Sequence, residues 1–192
     1  MSVTAETLCT AFRGDRRLAA GAAPAVARAV RAALETDADG PPVLVFEDGT
    51  GRAVDFDLSG SEADLDRRYA APPRGPGRPR LGVVAREVTL LPRHWDWLNA
   101  QPGGASVALR KLVDEARRDG EEKDRVRRAQ EAAYRVMSAL AGDRPNYEEA
   151  VRALYAADGG RFRDLTRDWP ADVRDYAATL AAEVFPSRGE AG

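Results

Sequence analysis

Histidine and cysteine are almost missing from this chain, which has one of each, His94 and Cys9, among 192 residues. A single cysteine excludes an intrachain disulfide and suits a cytoplasmic setting. One His and one Cys cannot close a zinc site. Any Ser/His/Asp or Cys/His arrangement would have to use His94. Its neighbours Trp95 and Trp97 point instead to a packing or interface role. Cys9 falls in an apolar stretch and reads as a small buried residue. Lysine is also scarce, with Lys111 and Lys123 the only two, so the basic character is arginine. No apolar run approaches the roughly 20 residues that span a bilayer. Met1 to Glu6 lacks the basic-then-apolar order of a signal peptide. Neither a membrane partner nor secretion is therefore expected.

The glycine-rich stretches match neither a phosphate loop nor a dinucleotide fingerprint. Gly75-Pro76-Gly77 is too rich in proline, which removes the N–H groups that would cradle phosphate. Asp55 and Asp57 share one face of an expected strand, and Asp64 and Asp66 share a short helix. Magnesium held by carboxylates is conceivable there, but a solvated face is the simpler reading. No catalytic residue, metal or cofactor is expected, and the chain does not read as an enzyme.

What the chain does have is an uneven charge. Net charge is −2 overall, but residues 1–71 carry −4, residues 72–118 carry +5 and residues 119–192 carry −3. A basic centre between acidic flanks is the asymmetry that locates an anionic partner. The hydrophobic fraction of 44% with 31% charged residues suits a globular chain rather than a disordered one.

Residues 1–71 read as a small α+β unit. Leu8 to Phe12 and Leu18 to Ala20 are expected strands around a Gly14-Asp15 turn. Pro24 stands near the start of a helix with Val26, Val30, Ala33 and Leu34 on one face. Pro42 to Phe46 is an expected buried strand, Asp48 to Gly51 a tight turn, and Val54, Phe56 and Leu58 alternate in a returning strand. Ser61 is placed to cap a helix over Glu62 to Tyr69. The expected order is ββαββα. Residues 72–82 then form a basic Pro/Gly arm, the clearest boundary in the chain.

Residues 83–118 are expected to form a strand, a helix beginning at Pro92, a Gly103-Gly104 turn, and a second helix ending at Arg117-Arg118. Ser106 is placed to cap that second helix. Its apolar side chains are Leu109, Leu112, Val113 and Ala116, with Arg110, Lys111, Arg117 and Arg118 toward solvent. Beyond residue 119 the pattern is helical: Glu121 to Ala141, closed by Gly142; a helix capped by Asn146 and broken at Gly159-Gly160; a third carrying Phe162, Leu165 and Trp169; and a fourth over Pro170 to Phe185.

Val88-Thr89-Leu90, the Pro at the helix start and the turn Gly104-Ala105-Ser106 resemble the ribbon-helix-helix family of DNA-binding proteins. That resemblance implies two chains pairing their strands into a ribbon whose polar face enters the major groove. Glu87 and Thr89 would then face bases, with Ser106 at a phosphate clamp. Val88, Leu90, Trp95, Leu98 and Leu109 would form the dimer interface. The reading face is poor in Arg, Lys, Asn and Gln, a departure from usual base readers. Gly77-Arg78-Pro79 resembles an AT-hook, though Pro76 stands where the hook has Arg; a plain basic linker is the alternative. Arg74, Arg78, Arg80 and Arg86 would supply phosphate or minor-groove contacts.

The whole chain is also similar to an uncharacterised bacterial family of unknown function. The likeness runs through Gly-Arg-Pro-Arg-Leu-Gly-Val-Val at 77–84, Arg-Glu-Val-Thr-Leu-Leu-Pro-Arg-His-Trp at 86–95, Gly-Gly-Ala-Ser-Val-Ala-Leu-Arg-Lys-Leu-Val at 103–113, Ala-Gln-Glu-Ala-Ala-Tyr-Arg at 129–135 and Trp169-Pro170. It implies no activity. The combined expectation is an α+β chain with an N-terminal ββαββα unit, a central strand-helix-helix module and a C-terminal helical segment (119–192) packed around it. Functionally it is a homodimeric binder of double-stranded DNA, possible as a transcription regulator. The alternative is a protein-interaction scaffold in which Trp95 and Trp97 anchor a partner.

Overall fold

The computed structural model describes residues 3–70, 84 and 86–185. Arg74, Arg78 and Arg80 of the arm lie outside the described residues. The fold is α+β, with one three-stranded sheet and seven helices among the described residues. The chain divides into two compact units. One holds Met1–Pro72 with Arg125–Gly192, and the other Pro73–Asp124.

The first unit is built on strands β1 (Leu8–Arg13), β2 (Arg16–Ala22) and β3 (Val43–Glu47), all antiparallel in the order β2-β1-β3. The central strand β1 is buried on both faces, and its side chains alternate between two cores. Cys9 and Ala11, with Val45 of β3, face α1 (Ala23–Thr36) through Val26 and Val30. Phe12, with Phe46 of β3, joins the core of the C-terminal helices. Those are the end of α4 (Ala105–Ala141), α5 (Tyr147–Tyr155), α6 (Gly159–Thr166) and α7 (Ala171–Leu180). Phe12 lies 5.3 Å from the Tyr176 ring of α7 and 6.5 Å from Phe46. A sheet of three strands thus serves two helical layers.

Helix α1 begins at the expected proline and buries Ala23, Val26, Ala27 and Val30, while Leu34 is exposed. Helix α2 (Glu62–Tyr69) starts with a full capping box between Ser61 and Asp64. Residues 54–58 depart from expectation. They form no strand beyond a single bridge, Phe46 to Ala53. The Val54 N–H still reaches the Val45 carbonyl of β3 at 2.8 Å, but at Asp57 and Ser59 the backbone is met by side chains of α2. The Asp57 N–H donates to the Tyr69 hydroxyl at 2.8 Å, and Arg68 donates to the carbonyls of Asp57 and Ser59 at 2.7 and 3.0 Å. Val54, Phe56 and Leu58 still turn inward, so the alternation survives without the ladder.

Two helix boundaries also differ. The helices expected to stop at Arg118 and resume at Glu121 are one helix, α4, of 37 residues. Gly120 costs such a helix about 1 kcal/mol, which the surrounding Arg, Glu and Lys formers tolerate. Helix α5 ends before Gly159, in a closed turn at Ala157. Ala157 has φ +53, its N–H reaches the Leu154 carbonyl at 3.2 Å, and the Asp158 N–H reaches Ala153 at 2.9 Å. Asp158 then caps α6 through the Arg161 N–H. Gly159 is needed for space, since a Cβ there would press on the Phe185 ring. Asn146 precedes α5 as expected, but its side chain makes no capping hydrogen bond.

Candidate functional sites

The central unit keeps the expected helix, glycine turn and helix, but the strand expected over residues 83–91 does not form among its described residues. Residues 86–91 belong to no helix or strand, Leu91 takes an extended backbone, and α3 (Pro92–Asn99) follows directly. The missing N–H of Pro92 falls in the first turn, where no intrahelical acceptor exists. Leu98 is buried at 3% exposure, and Trp95 is half-buried beside it on the same face. Gly103 and Gly104 both take positive φ, +87° and +76°, a reversal that other residues adopt only with strain. Helix α4 then begins at Ala105, with the Val107 and Ala108 N–H groups closing on the Gly104 carbonyl at 3.2 and 3.1 Å.

This placement corrects the role given to Ser106. It lies one residue inside the helix, and its carbonyl accepts from Arg110 at 3.1 Å. Gly104 occupies the capping position. The N–H groups of Ala105 and Ser106 remain outside the ladder of α4. The expected groove-facing residues Glu87 and Thr89 are exposed, as is Arg86. Val88 is also exposed, Leu90 is half-buried, and Leu109 is half-buried on α4. Val84, Val88, Leu91, Trp97, Leu112 and Val113 are each at least 43% exposed. Most of the large exposed apolar side chains among the described residues thus fall in this unit. His94 is exposed on α3.

The sheet unit contains a second candidate, one that sequence reading missed. Thr10 is only 2% exposed in the middle of β1. Its hydroxyl donates to Asp48 Oδ1 at 2.8 Å, and the Tyr176 hydroxyl donates to the same oxygen at 2.8 Å. Burial, then the hydrogen bond to Asp48, push the Tyr176 phenol far above its ordinary value, so it stays a donor. These three side chains border a cleft of about 520 Å³. Its floor includes Ala129 and Ala132 of α4, and its rim carries Arg17, Arg125, Arg128 and Glu183. The signal for it was a polar residue in a run otherwise fit for a doubly buried strand, Cys9-Thr10-Ala11-Phe12. Such a hydroxyl needs a partner.

Three of the four acidic residues weighed for magnesium have partners in the protein, Asp66 pairing with Arg28. Asp57 accepts from the Ser59 N–H and hydroxyl at 3.0 and 2.6 Å, and Asp64 from those of Ser61 at 2.9 and 2.7 Å. These serine hydrogen bonds hold both carboxyls below their usual range. Among the described residues, no group of three or more His, Cys, Asp or Glu is placed to hold a metal ion. Also among them, no helix is long and apolar enough to cross a membrane.

An α+β chain with a small antiparallel sheet and seven helices among the described residues is the class these features define. The chain belongs to the family described as an uncharacterized protein conserved in bacteria (DUF2239), which matches residues 8–181. No curated protein and no solved structure matches it.

Proposed function

We propose that the protein is a homodimeric DNA-binding protein, and that residues 84–118 of two chains complete one another. The observation that carries this reading is the exposure of Val88, Leu91, Leu112 and Val113, on the segment before α3 and on α4, in one small unit. Apolar side chains grouped in this way mark an interaction surface. A second copy supplies matching chemistry, because a two-fold interface pairs the same patch with itself. Residues 86–90 lie outside any described strand and could pair with an antiparallel partner, which would bury Val88 and Leu90 between the chains.

The DNA part of the proposal draws on charge. The +5 segment contains the arm arginines and Arg86, and α4 opens with N–H groups free to meet phosphate. Glu87 and Thr89 would then face the major groove, where Glu87 can accept from cytosine. A regulatory role in the cytoplasm suits such a protein. The scaffold alternative is favoured by Trp97, 52% exposed and bordering a groove with Gln101, Pro102, Lys111 and Leu112.

The test is fluorescence anisotropy of labelled duplexes titrated with wild type and with the Arg78→Ala/Arg80→Ala double variant. The expected result is binding that falls steeply with salt and a shallower salt slope in the variant, about one to two units smaller. Equal slopes would remove the arm from the interface. An absence of binding at low salt would leave the scaffold reading standing.

A further inference from the structure

The cleft of the sheet unit is independent of the DNA reading and has its own chemistry. Asp48 is held on one side only. Both of its side-chain hydrogen bonds, from Thr10 and Tyr176, fall on Oδ1, and among the described residues Oδ2 takes none. The carboxylate is therefore fixed in orientation with one acceptor oxygen to spare. Around it the floor is small and buried, formed by Ala129, Ala132 and the buried Thr10 and Tyr176. The rim is rich in guanidinium groups, from Arg17, Arg125 and Arg128, with Glu183 the only acid there. Its volume of about 520 Å³ lies within the range that small-molecule sites occupy.

We propose that this cleft binds a small zwitterion of the amino-acid class, its ammonium on Asp48 Oδ2 and its carboxylate on the arginine rim. The single spare oxygen decides between ligand classes. A guanine edge or a guanidinium needs both oxygens of a carboxylate for its bidentate pairing, and here one oxygen already accepts twice. An ammonium needs only one. The lining also has no exposed aromatic face on which a nucleobase could stack, since Tyr176 is 4% exposed. Guanidinium groups are the matching partners for a carboxylate. A cleft lined by both a fixed carboxylate and guanidinium groups matches a short ligand that carries both charges.

The test uses the full chain without DNA, so its outcome does not depend on the DNA reading. Saturation-transfer NMR would screen each standard amino acid at millimolar concentration, alongside its N-acetyl derivative and, where one exists, its decarboxylated amine. Binding by free amino acids is expected, with loss of signal when either end is removed. Asp48→Asn keeps an acceptor for Thr10 and Tyr176 but removes the charge, and should weaken binding about tenfold or more. Arg125→Ala alters only an exposed rim position and should weaken it similarly, which keeps the test informative if the Asp48 variant folds poorly. Silence from every amino acid would overturn the proposal. Equal binding by the N-acetyl forms, or binding untouched by Arg125→Ala, would overturn it as well.

Discussion

Cys9 is fully buried at the centre of the sheet, on the face opposite Thr10. Burial, reinforced by the nearby Asp48 and Glu47 carboxylates, pushes its thiol up to about 11 from an ordinary 9.0. The folded protein therefore keeps a proton that the unfolded chain loses, and stability falls as pH rises across that window. The loss should reach at most about 3 kcal/mol. Tyr176, also raised, contributes in the same direction at higher pH. Urea midpoints followed from neutral pH upward should decline from about pH 9, and Cys9→Ala should lack the first part of the decline. A wild-type profile that stays flat to pH 11 would contradict the burial of an uncharged thiol here.

At the scale of elements, the turn between β3 and residue 52 carries more of the fold than its length suggests. Gly51 has φ +64, and a Cβ there would fall inside the Ala132 carbonyl of α4. Arg135 of the same helix donates to the Thr50 carbonyl at 2.7 Å. Helix α4 is thus seated directly on the turn. Gly51→Ala should cost about 2–4 kcal/mol from strain and collision together. Gly49→Ala, which meets open space, should stay within about 0.5 kcal/mol. Thermal melts of the two variants check this, and equal melting points would contradict the close packing of turn and helix.

The same elements show how far sequence reasoning reached. Features written in local chemistry were legible: the Ser61 cap, the proline starts of α1 and α3, and the burial of Cys9. Features set by tertiary partners were not. Residues 54–58 have the alternation of a strand, but Arg68 and Tyr69 of α2 take the backbone groups of Asp57. The glycine pair at 159–160 drew the end of α5 too late, because Ala157 accepts the left-handed turn that glycine usually takes. Thr10, Asp48 and Tyr176 lie far apart in sequence, so no spacing rule could bring them together. For the central module the two helices and the glycine turn are visible in the structure, while residues 86–91 form no strand and Ser106 moved from cap to helix interior.

For the whole molecule, each of the two units presents its own unfilled surface. The sheet unit has a charged cleft with a fixed carboxylate. The central unit has exposed apolar side chains on the segment before α3 and on the start of α4. The two proposals assign them different partners, a small polar ligand and a second copy of the chain with DNA. Val88→Asp should disturb only the second surface. It places a charge where the strands would pair, and the desolvation cost disfavours the dimer while the exposed position leaves the single chain folded. The most direct measurement is sedimentation velocity of a fluorescent duplex with the wild-type protein and with Val88→Asp at low salt. The account predicts that the duplex sediments with two chains of wild type, and that the variant is a folded monomer that fails to carry it. Wild-type protein that remains monomeric and leaves the duplex free would contradict it.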